Sequence, residues 1–120
     1  MPHTRTPSDE LNAVDRVVHE PVRLAILTAL SACERAEYLY LQRLTGCTLG
    51  NLANHVRRLA DAGFVEIEKG YVGNVPQTTA AITHEGRQAI DAYWNQMDVL
   101  RETLRDRAHI EQWRTSEPSA

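Results

Sequence analysis

The hydrophobic period of this chain changes at Gly63. Upstream, Leu49, Leu52, Val56 and Leu59 recur at steps of three and four, the spacing of one buried helix face. Downstream, Phe64-Val65-Glu66-Ile67-Glu68-Lys69 alternates apolar and polar residues, as a half-solvated strand does. The stretch from Gly70 to Pro76, with Gly73 and Asn74 inside it, predicts a turn or loose loop, and Gln77–Ile82 a return strand. A glycine-stopped helix that feeds directly into a β-hairpin leaves few small folds open.

The rest of the chain reads as helix. Residues 1–7 form a loose arm with two prolines, after which Ser8 can cap a short helix whose apolar stripe is Leu11, Val14 and Val18. His19-Glu20-Pro21 interrupts it, since proline disfavours helix in the residue before it but suits the first turn of a new one. A second helix is expected from Pro21 to Ser31, and a short one over Glu37–Leu44 that stops at Thr45-Gly46. Thr48 caps the next, which ends near Ala62. Thr83 caps the last, expected to run to about Arg107 with a stripe of Ala89, Ile90, Tyr93, Trp94, Met97, Leu100 and Leu104. A polar tail from Ala108 to residue 120 is expected to fray. This organisation gives an arm (1–7), one domain (8–107) whose last helix spans about 83–107, and a tail (108–120).

Composition narrows the function. The chain has 120 residues, 42% hydrophobic and 24% charged, enough for one domain with a core. No apolar run is long enough for a membrane span and no signal-peptide core is present, so a cytoplasmic protein is expected. Cys33 and Cys47 show no metal-type spacing, and Asp106 with His109 has no second ligand pair, so neither metal nor cofactor is expected. There is no nucleophile elbow, Walker loop or zinc-protease motif, so enzymatic activity is not expected. Net charge is −3, but residues 21–82 carry six basic and five acidic side chains, so the acidity lies in the flanks. The middle of the chain is open to a nucleic-acid partner.

Two helices joined by a tight glycine-containing turn and followed by a hairpin describe a winged helix-turn-helix, mainly α with a small β-hairpin wing. In that arrangement the second helix enters the major groove of double-stranded DNA. At about 100° per residue, Asn51, Asn54 and Arg58 centre opposite the apolar stripe of that helix. Asparagine can pair bidentately with adenine and arginine with guanine. Gly50 beside them permits close approach, while Thr48, His55 and Arg57 border the face as phosphate contacts. Lys69 and Asn74 are the corresponding candidates on the hairpin. Cys47, just before this helix, reads first as a small half-buried residue and second as a site where oxidation would disturb docking.

The segments HEPVRLAILTAL, TLGNLANHVRRLADAGFVEIEK and THEGR resemble the small winged-helix regulators of the MarR/ArsR type, over His19 to about Tyr93. The resemblance implies a homodimeric transcriptional regulator that binds an operator, with N- and C-terminal dimerisation helices. The interface would then use Leu11, Val14, Val18, Ile90, Tyr93, Trp94, Met97, Leu100 and Leu104, and an unknown small-molecule effector is compatible with it. The wing departs from the family pattern: Gly73 to Ala81 carries no charge, and Lys69 is the only lysine in the chain. That uncharged wing and the acidic flanks are what a second reading predicts, a winged helix that has lost DNA and serves as a protein-interaction or dimerisation module.

Overall fold

The computed structural model describes residues 15–116. The arm, Ser8, Leu11 and Val14 lie outside them. The elements are α1 (Pro21–Cys33), β1 (Arg35–Glu37), α2 (Tyr38–Thr45), α3 (Leu49–Asp61), β2 (Val65–Val72), β3 (Val75–Ile82) and α4 (His84–Ser116). They divide into two compact units. One is Asp15–Tyr93, and the other holds Trp94–Ser116 among the described residues.

In the Asp15–Tyr93 unit, Ile26, Leu27 and Leu30 of α1, Leu41 of α2 and Leu52, Val56 and Leu59 of α3 are fully buried. Each such side chain contributes roughly 1.5–3 kcal/mol by leaving water. The strands form an antiparallel sheet in the order β1-β3-β2. Val65 and Ala80 of the sheet complete the core, so the hairpin is buried at its base and exposed beyond it.

The junction of hairpin and α4 depends on two residues. The Thr83 hydroxyl accepts from the Gly86 backbone N–H at 3.0 Å and donates to the Gly63 carbonyl at 2.6 Å, so one side chain caps α4 and ties it to the end of α3. A side chain on Gly86 would collide with the Phe64 carbonyl oxygen and with Ile82, which explains the glycine in THEGR.

Five sequence expectations change. Residues 15–18 form a turn, not the end of a helix, because the Asp15 carboxylate accepts from the backbone N–H of Val17 at 2.8 Å and Val18 at 3.3 Å. β1 was missed: three residues are too few to show alternation, and the strand exists only through its pairing with Thr79–Ala81. The wing loop is not loose. β2 continues to Val72, which pairs with Val75, leaving the two-residue turn Gly73-Asn74. Gly73 has φ 62° and Asn74 does not have a positive φ, the pattern of a type II′ hairpin turn. Pro76 is tolerated in β3 because it follows the hydrogen-bonded closing pair, so its nitrogen faces away from β2 on a side β1 does not reach. Leu49, expected in the core, is 49% exposed at the start of α3. Finally, α4 continues to Ser116 through residues expected to fray. Glu, Gln and Arg are good helix formers despite their polarity, and Arg107 lies 4.0 Å from Glu111 one turn on.

Candidate nucleic-acid interface

Gly46 ends α2 in a left-handed conformation, and Thr48, two residues later, caps α3 through a 3.1 Å hydrogen bond from the Asn51 N–H to its hydroxyl. The Thr48 hydroxyl oxygen expected at a phosphate is thus engaged in the cap. α3 turns Leu52, Val56 and Leu59 into the core and leaves Gly50, Asn51, Asn54, Arg57 and Arg58 exposed on its outer side. These five are brought together as the sequence spacing requires. Gly50 has open space where a Cβ would stand, so nothing in the fold requires a glycine there.

His55 is a correction. It flanks the buried stripe and faces α1, where its Nδ1 lies 3.1 Å from Arg23 Nη1 and 3.6 Å from Glu20 Oε2. Its Nδ1 is thus engaged with α1 and not available to a phosphate. Burial raises the Glu20 carboxyl, but the Arg23 and Val22 backbone N–H groups, with the Arg23 charge, outweigh that and hold it below the usual range.

The cations sort into engaged and available groups. Arg23 is buried, and Arg35 donates to Glu68 at 2.7 Å and to Thr79 at 3.0 Å. Arg43, Arg57, Arg58 and Lys69 are exposed and form no ion pair with the described residues. Arg57 lies near Tyr38, whose phenol is pushed up by burial and pulled back in part by that guanidinium, so it stays a donor at neutral pH. Asn74 is exposed at the wing tip.

Sequence reasoning missed a groove of about 780 Å³ between α2, α3 and the wing. Leu39, Leu49, Ile67, Val72 and Val75 line it and are all exposed, and Arg57 and Lys69 line it with them. The signal was present in the apolar wing positions Ile67, Val72 and Val75, but only the two-residue turn aligns them with Leu49.

The candidate interface residues separate as well. Val18, Ile90 and Tyr93 are buried within the protomer, and the His19 ring bonds the Tyr93 hydroxyl at 2.9 Å, so these three are core residues and not open docking surface. Leu100 is also buried and Met97 half-buried, whereas Trp94 and Leu104 are exposed together with Val99, Ile110 and Trp113. His109 stacks edge-on against Trp113. Among the described residues no group of three or more His, Cys, Asp and Glu could hold a metal ion, and no helix is long and apolar enough to cross a membrane.

Known proteins share this architecture. A family model described as a winged helix DNA-binding domain matches residues 22–100. An uncharacterized protein of Methanocaldococcus jannaschii is 35% identical over 78 residues, 65% of this chain and 85% of that protein. The structure of a transcriptional regulator homologue from Pyrococcus horikoshii superposes with a TM-score of 0.73 at 26% identity, covering 80% of this chain and 97% of the other. A MarR-family regulator from Enterococcus faecalis shares the fold alone, with a TM-score of 0.65 at 19% identity over 88% of this chain and 96% of that one. The capped recognition helix, the hairpin wing and these matches together establish that the chain belongs to the winged helix DNA-binding domain family, with the fold of the MarR- and ArsR-type transcriptional regulators.

Proposed function

We propose that the protein is a sequence-specific, cytoplasmic transcriptional regulator that binds a pseudo-palindromic operator as a homodimer and has no enzymatic activity. The observation that carries this reading is the outer face of α3. Asn51, Asn54 and Arg58 stand exposed there, with no acidic side chain bonded to them. They supply the bidentate chemistry that reads adenine and guanine edges. Arg43, Arg57, Arg58 and Lys69 supply uncommitted positive charge for phosphates.

The exposed apolar side chains Trp94, Val99 and Leu104 of α4 support the homodimer, because a strip of this kind on a helix marks an interface. A twofold pairing makes the contact isologous and repeats the recognition helix once per half-site, about 34–36 Å apart. Selection of bound sequences from a random duplex pool tests the reading. It predicts an inverted repeat with half-sites one helical turn apart, and sedimentation of the free protein as a dimer at micromolar concentration. Selection of unrelated sequences only, or sedimentation as a monomer, contradicts it.

The apolar groove beside α3 favours a second reading, a protein-docking module. That reading predicts no enriched site, and retention of a protein partner that Leu49→Glu abolishes.

A further inference from the structure

Arg23 is a cation buried in the Asp15–Tyr93 unit, only 7% exposed, and it makes no ion pair with the described residues. Its guanidinium is held by three acceptors. Nε donates to the Val17 carbonyl at 2.5 Å, Nη2 to the Arg16 carbonyl at 3.5 Å, and Nη1 meets His55 Nδ1 at 3.1 Å. The first two acceptors belong to the turn before α1, and the third belongs to the recognition helix. A guanidinium has no acceptor, so His55 Nδ1 must accept, which makes the ring neutral with its proton on Nε2.

This bond restrains what the core leaves free. Leu52, Val56 and Leu59 hold α3 by apolar contact, which is not directional. Side-chain ends lie about 5–6 Å from a helix axis, so a rotation of ~20° moves them by about 2 Å, enough to break a bidentate base contact. A hydrogen bond to a buried, multiply tethered guanidinium opposes that rotation. His55 lies one turn after Asn51, next to Asn54 and three residues before Arg58, so the restraint acts at the middle of the base-reading face.

We infer that His55 is a positioning residue: through Arg23 it sets the rotation of α3, and protonation of its ring releases that setting. The inference rests on the DNA-binding reading above. A protonated Nδ1 becomes a donor and can no longer accept from Arg23. Its natural acceptor is then Glu20 Oε2, 3.6 Å away, which already accepts from the Arg23 backbone N–H at 2.7 Å. The ring therefore exchanges Arg23 for Glu20 as the medium becomes acidic. Arg16, Arg58 and Asp61 line the cleft beside Arg23 and are the other charged groups near this cluster. No other ionisable side chain among the described residues bonds to the ring.

The test uses the duplex selected by the unmodified protein and an unrelated duplex of equal length. His55→Leu removes the acceptor, while His55→Asn places a carbonyl oxygen near the Nδ1 position. The expected result is about a tenfold loss by His55→Leu on the selected duplex, with little change on the unrelated one, and near-complete rescue by His55→Asn. A second measurement needs no variant: the ratio of the two affinities in the unmodified protein falls as the medium is acidified, because a proton gained at Nδ1 bars it from accepting. In His55→Asn the ratio stays flat. A merely structural histidine would not give rescue and a pH-flat ratio together. Full discrimination by His55→Leu, or failure of His55→Asn to restore it, overturns the inference while leaving DNA binding intact. If the unmodified protein selects no sequence, the DNA-binding reading fails and this inference falls with it.

Discussion

The recognition helix and the wing belong to the same unit and adjoin at Gly63-Phe64, yet they are built on opposite plans. α3 is anchored by three fully buried side chains and a threonine cap, and presents amides and guanidiniums outward. The hairpin is buried only at Val65 and Ala80, and presents Tyr71, Val72, Val75 and Pro76 with Lys69 as its one cation. A rigid helix with amide and guanidinium groups suits base readout, which needs fixed geometry. A wing with a single cation adds little counterion release, the term that dominates non-specific affinity. The difference teaches that, under the proposed function, discrimination between sequences would rest on α3 more than general attraction to DNA would rest on the wing.

The largest contrast should appear in stability. Leu59→Ala empties a fully buried site in α3 and should cost about 2–5 kcal/mol. Val75→Ala at the exposed wing tip should cost less than about 0.5 kcal/mol. Denaturant melts would check both, and equal losses would mean the wing tip is packed in solution.

Gly50 gives a smaller and opposite effect. Because a Cβ there meets open space, Gly50→Ala should raise stability by up to about 1 kcal/mol while weakening binding to the selected duplex. A variant that gained stability and kept full affinity would remove close approach from the account of this face.

The smallest effect concerns salt. Lys69→Ala should reduce the slope of log affinity against log salt by about 0.9 if it neutralises one phosphate, whereas Asn74→Ala should leave the slope unchanged. A larger change at Asn74 than at Lys69 would reverse the roles assigned within the wing.

The four described helices, the hairpin and the outer face of α3 were legible in the sequence, because periodicity, Thr48, Gly46 and Thr83 all act locally. What escaped depends on contacts between distant segments. β1 exists only through Thr79–Ala81, and Arg35 loses its availability only because that pairing brings Glu68 to it. His55 lies at the edge of the α3 stripe, where sequence spacing allows either solvent or a neighbour, and Arg23, 32 positions away, decides the matter. The α4 part of the interface set was read from one helix stripe, so Ile90 and Tyr93 could not be told from Trp94 and Leu104.

The central claim is that base reading resides in α3 and not in the wing. Repeating the random-pool selection with Asn51→Ala, Asn54→Ala and Asn74→Ala tests it most directly. Each α3 variant should lose about 1–3 kcal/mol on the original site and relax preference at a defined position in each half-site, while Asn74→Ala selects the original sequence. Unchanged preferences in both α3 variants, with preferences altered by Asn74→Ala, would contradict the account.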